Sequence, residues 1–195
     1  SLTLGNSSKL SRLSVSEVGA GLTITESNTE STRNIVEDLS LNSSLSVISD
    51  RGLAFGNITV DGAITFSSNK NINTEKLSLL GSADLSLGTE NIILSVKDPV
   101  TVDNSQRISN GFGSLDFVDG ITLNSGSELV AQGQQISGNL YLNGGNFSIE
   151  KDTTFSDNLS LSEDSIIKIE SSKILTYGGE TLEIGESKLK IQGGG

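Results

Sequence analysis

Residues 138–149 read GNLYLNGGNFSI, and residues 157–169 read DNLSLSEDSIIKI. Residues 56–66 follow the same plan as GNITVDGAITF. Each copy opens on a small polar pair and alternates aliphatic–polar–aliphatic. It then turns through Gly, Asn, Asp or Ser and alternates again. Period-two alternation describes a short strand with one buried face. Gly, Asn and Asp supply the turn conformations that join such strands. From Leu140 to Leu159 the plan advances by 19 residues. That step is shorter than a sandwich hairpin pair usually takes, and it suits one coil of a solenoid.

The repeat runs the length of the chain. Aliphatic triplets follow turn residues at Leu2–Leu4, Leu22–Ile24, Leu39–Leu41, Ile58–Val60, Leu77–Leu79, Val100–Val102, Ile121–Leu123, Leu140–Leu142, Leu159–Leu161 and Leu182–Ile184. A second series lies a few residues after most of these, at Leu45–Val47, Ile64–Phe66, Leu85–Leu87, Phe147–Ile149, Ile167–Ile169 and Leu189–Ile191. A third, less regular one includes Leu53–Phe55, Ile92–Leu94, Leu115–Phe117 and Ile174 with its neighbours. The reading is an all-β, right-handed parallel β-helix (a β-solenoid). It has three short strands per coil of about 19–21 residues and roughly nine to ten coils. An antiparallel β-sandwich is the competing architecture, and the absence of Trp-type core markers weighs against it. One segment, SNTESTRNIVEDL at 27–39, carries Ser27 and Glu30 at capping-box spacing. A polar excursion from the second coil explains it better than a helix.

Composition agrees. Hydrophobic residues make up 34% of the chain and aromatics 4%, with no Cys, Met or Trp. Leu, Ile and Val fill identical thin layers, which need less bulky gap-filling than a wide core. Twenty-two Gly against a single Pro fit many tight turns in an extended chain. The net charge of −11 argues against binding nucleic-acid phosphate or an anionic membrane surface. No run of 18 apolar residues offers a membrane-spanning helix. Residues 1–195 read as a single β-helix segment, part of a longer chain or of a repeating assembly.

GNITVDGAITF, GITLNSGSELV, GNLYLNGGNFSI and DNLSLSEDSIIKI resemble the coils of secreted bacterial right-handed β-helices. The nearest families are autotransporter passenger domains and filamentous-haemagglutinin-type adhesins. The resemblance implies an extracellular or cell-surface location. It further implies a non-catalytic structural or adhesive role, as a rod segment or filament subunit. The expected partners are a cell-surface glycan or protein, or a second copy stacked end to end through uncapped strand edges.

Without His or Cys, triads built on an imidazole or a thiolate and thiolate or imidazole metal sites are ruled out. Carboxylate chemistry remains, because a glycosidase needs two carboxylates across a groove. Asp116 with Asp119 and Asp152 with Asp157 are the candidate pairs, and solvated corner residues are the plainer reading of both. No EF-hand-type loop and no glycine–aspartate nonapeptide points to calcium, so no metal or cofactor is expected. The outward positions of the first triplet series run Thr3, Thr23, Ser40, Thr59, Ser78, Thr101, Thr122, Tyr141, Ser160 and Glu183. This near-continuous hydroxyl column raises ice binding. The neighbouring column, which includes Lys76, Pro99, Gly120 and Asn139, is too mixed to be a second threonine array. Thr101, Thr122, Tyr141 and Ser160 are the candidate surface contacts. Tyr141 is an outward aromatic able to stack on a sugar ring or anchor a protein. Polysaccharide binding or hydrolysis and ice binding are the alternative functions.

Overall fold

A computed structural model describes residues 2–4, 10–15, 21–26, 34–49, 52–162, 164–184 and 190–193. These residues form strands and turns only. Named strands pair in parallel, each with its counterpart one coil away, as Leu140, Tyr141 and Leu142 pair with Leu159, Ser160 and Leu161. The chain is a parallel β-solenoid of about seven turns. The stretch at 138–149 forms two of the strands in one coil. Leu140, Leu142, Phe147 and Ile149 are buried, and the corner between them turns through Gly144 at φ +80°.

Three walls line the solenoid. The first carries Ile58–Val60 on Leu77–Leu79, then a five-stranded sheet from Val100–Val102 to Leu182–Ile184. The second stacks Ile64–Phe66 on Leu85–Leu87, and continues through Arg107–Ser109, Glu128–Ala131, Asn146–Ile149 and Ile166–Ile169. The third runs from Leu53–Phe55 through Ile72–Thr74, Ile93–Val96 and Ser114–Phe117, then through Ile136 and Thr153–Phe155 to Leu175–Tyr177. One face of every strand must leave water, so the aliphatic positions of all three walls meet along the axis in a single core.

The fold corrects several details of the expected pattern. Leu2–Leu4 and Leu22–Ile24 do not begin the first wall. Leu2 pairs with Ile24, and Leu22 with Leu45 of the second wall. The first-wall position is taken by Leu13 and Val15, in register with Leu39 and Leu41. Leu45–Val47 pairs with Phe66–Ser68 instead of Ile64–Phe66. On the third wall the pair in register with Leu115 and Phe117 is Leu94 and Val96. Ile174 is 62% exposed, while its neighbours Leu175 and Tyr177 pack on the core. Of the segment flagged for a helix, 27–33 lie outside the described residues and Asn34–Leu41 is a strand.

The core also uses more aromatic volume than expected. Phe55, Phe66, Phe117, Phe147 and Phe155 are fully buried. Phe155 lies edge-on to Phe147, with centroids 6.0 Å apart, and stacks on Tyr177 at 6.3 Å. Polar side chains bind the corners together. Asn124 Nδ2 donates to Asp103 Oδ1 (2.7 Å) and Asn143 Nδ2 to Asn124 Oδ1 (3.0 Å), while Ser162 Oγ donates to Asn143 Oδ1 (3.0 Å). One rung of the first wall is missing between Leu77–Leu79 and Val100–Val102. Here buried Gln106 donates through Nε2 to the Leu79 carbonyl at 3.1 Å, a side-chain amide doing what a backbone amide does elsewhere.

Candidate functional site

The candidate contacts converge on the five-stranded sheet of the first wall. Thr101 pairs with Thr122, Thr122 with Tyr141, Tyr141 with Ser160, and Ser160 with Glu183. For Thr101, Thr122, Tyr141 and Ser160 each flanking residue is a buried aliphatic, so alternation turns these four toward solvent. Successive members stand one strand apart, about 4.8 Å. Above the missing rung, Ser14, Ser40, Thr59 and Ser78 are in register with one another. Thr3 and Thr23 belong to the second-wall ladder instead.

Tyr141 is the large side chain of this column and is 43% exposed. Its ring leans back over the corner of the preceding coil, where a Cβ on Gly120 would stand 3.2 Å from Tyr141 Cε2. In the strand ladder Tyr141 stands between Thr122 on one side and Ser160 on the other. Ser160 Oγ makes a long 3.5 Å contact with Glu183 Oε2. Beside Ser160, Asn158 Oδ1 accepts from the Thr181 amide (3.1 Å) and hydroxyl (2.8 Å). The surface can offer an aromatic face and hydroxyls held at strand spacing by a hydrogen-bonded sheet.

Of the candidate carboxylates, Asp116, Asp152 and Asp157 accept hydrogen bonds from neighbouring coils. Asp116 accepts from Ser95 Oγ at 2.8 Å and from Ser137 Oγ at 2.9 Å, one on each neighbouring coil. Asp119 is an exposed corner residue three positions on. Asp152 and Asp157 flank the strand Thr153–Phe155. Asp152 accepts from the Ile174 amide (3.0 Å) and Asp157 from the Gly138 amide (2.7 Å). Among the described residues no group of three or more acidic side chains converges as a metal site would require.

Charge is distributed in small ladders. Arg107 lies between Asp84 (3.2 Å) and Glu128 (3.3 Å), and Ser148 Oγ donates to the same Glu128 at 2.6 Å. Lys97 Nζ contacts Glu75 at 2.7 Å. That hydrogen bond, reinforced by the Glu75 charge, holds the Lys97 ammonium above its ordinary pKa of 10.5. In the last fifty residues Lys168 and Glu170 pair at 3.6 Å.

Two features had no counterpart in the sequence pattern. Phe112, 54% exposed at a corner, lies under Lys151 Nζ at 5.3 Å from its ring centroid. A polar cleft also opens on the third wall, lined by Gln134, Gln135, Thr154 and Thr176 among others. The aromatic in SNGFG gave the one available signal for the first. The second is assembled from three coils.

Neither the known protein-family models nor the curated proteins and solved structures compared with this chain give a match.

Proposed function

We propose that this solenoid is a rigid, non-catalytic rod segment of a secreted or cell-surface protein. In this reading it is of the autotransporter-passenger or filamentous-haemagglutinin kind and presents its first wall to a cell-surface glycan or protein. The observation that carries the reading is the in-register outward column Thr101–Thr122–Tyr141–Ser160. Each strand of that column is held by backbone ladders to its neighbours, so little conformational freedom is lost on contact. Tyr141 supplies apolar area and the hydroxyls supply donors and acceptors. The net charge of −11 turns away anionic partners by long-range repulsion.

The test is binding of the labelled chain to a panel of intact animal cells and to a microarray of neutral and acidic glycans. Tyr141→Ala removes an aromatic worth about 1.5–3 kcal/mol on full burial, so binding should weaken tenfold or more. Thr122→Val should weaken it less. Unchanged binding by Tyr141→Ala, with the circular-dichroism spectrum intact, would reject the first wall as the contact surface.

A further inference from the structure

We propose that the cleft on the third wall, apart from the first-wall column, is a binding site for a neutral oligosaccharide. The cleft is an open depression of about 450 Å³ that crosses three coils. Gln134 and Gln135 come from one coil, Asp152, Thr154 and Ser156 from the next, and Thr176 from the third. Thr154 and Thr176 are partners in strand register. Three neighbouring strands span about 10 Å, which sets the extent of the depression across the strands.

The polar groups of the cleft are exposed, and they differ from those higher on the same wall. Higher on the same wall, outward side chains satisfy one another, as Asp116 does with Ser95 and Ser137. In the cleft, no hydrogen bond among the described residues engages the side chains of Gln134, Gln135, Thr154, Ser156 or Thr176. Their backbones are nevertheless held: the Gln134 carbonyl accepts from Asn110 Nδ2 at 3.0 Å and the Gln135 carbonyl from the Leu115 amide at 3.1 Å. Two primary amides and three hydroxyls thus face one concavity with their donors and acceptors unspent and their anchors fixed. Groups that both donate and accept match vicinal sugar hydroxyls, which do the same.

The surroundings narrow the class. The lining itself holds no Arg or Lys, the ammonium of Lys151 at the rim sits over the Phe112 ring, and Asp152 adds negative charge to the cleft. Asp152 also fixes one carboxylate oxygen on the Ile174 amide, so its side chain is held in place. An acidic sugar is therefore disfavoured. At the rim, a Cβ on Gly133 would stand 3.2 Å from Lys151 Cβ and 3.3 Å from Cδ. That stem carries Lys151 Nζ to the exposed Phe112 ring. The rim therefore offers apolar surface next to the amide and hydroxyl lining, the combination that carbohydrate faces require.

The experiment titrates the full chain with maltohexaose, cellohexaose, chitohexaose and, as the acidic probe, hexagalacturonic acid, followed by backbone amide NMR. At least one neutral hexamer should shift the resonances of 133–135, 152–156 and 176 at millimolar concentration. The double variant Gln134→Ala/Gln135→Ala should weaken that binding at least tenfold with the circular-dichroism spectrum unchanged. Thr176→Val should weaken it independently, and Tyr141→Ala should leave it intact. The proposal is overturned if no neutral hexamer shifts those residues or if the acidic hexamer binds more tightly. It also fails if both cleft variants bind like the parent chain. Loss of cleft binding in Tyr141→Ala would likewise overturn it, by assigning the sugar to the first wall.

Discussion

Gly138 and Gly62 offer a controlled measurement of what stacking costs in this solenoid. Their backbones are nearly the same, at φ +100° and +96°. Alanine at either position meets the same unfavourable backbone region, about 1–2 kcal/mol. It also gains the same small benefit from a stiffer unfolded chain. The surroundings differ. A Cβ on Gly62 has nothing within 4 Å, whereas one on Gly138 would overlap the Phe117 carbonyl oxygen and stand 2.7 Å from its carbon. That carbonyl accepts from the Gly120 amide at 2.9 Å, so moving it loosens a corner of the preceding coil. Disturbing a corner hydrogen bond adds about 1–3 kcal/mol. Gly62→Ala should therefore cost about 1–2 kcal/mol and Gly138→Ala about 3–5 kcal/mol. Urea denaturation of the two variants reads the difference. Amide hydrogen exchange should locate the extra loss in the coils at 114–131 and 136–149, because solenoid stability is a sum of coil and interface contributions. If Gly138→Ala does not fold while Gly62→Ala does, the inequality stands in stronger form. Equal losses, or exchange spread evenly over the chain, would refute the stacking argument.

Phe155→Ala removes a fully buried ring between Phe147 and Tyr177 and should cost about 3–5 kcal/mol in the same denaturation assay. Arg107→Gln should cost less than about 1 kcal/mol, because the pairs with Asp84 and Glu128 are part-exposed. That loss should vanish at about 1 M salt, where screening acts within about 3 Å. The Lys97 pKa is raised in the folded state, so the contact with Glu75 contributes fully below pH 10.5 and is lost as pH rises through the folded value. Glu75→Gln should bring the Lys97 titration, followed by side-chain NMR, back toward 10.5; an unchanged titration would remove Glu75 as the cause.

Alternation and turn chemistry made the architecture legible in the chain alone. Leu140, Leu142, Phe147 and Ile149 could be turned inward, and Thr101, Thr122, Tyr141 and Ser160 outward, because a strand has only two faces and one must leave water. Stacking identical triplets then brought those four outward residues together on the first wall. Register was not legible in the same way. A slip of two residues keeps every side chain on its own face, so nothing in the pattern distinguishes Leu45 opposite Phe66 from Leu45 opposite Ile64. Two further features were hidden for other reasons: the triplet Leu22–Ile24 fits any of the three walls, and the adjacent apolar residues Ile174 and Leu175 leave open which of them turns inward. The missing first-wall rung filled by Gln106, the Lys151 stem reaching Phe112, and the cleft were decided only by the tertiary structure. Each draws on side chains one or two coils apart, and their meeting depends on the path of the corners between them, whereas a strand's faces depend only on its own residues.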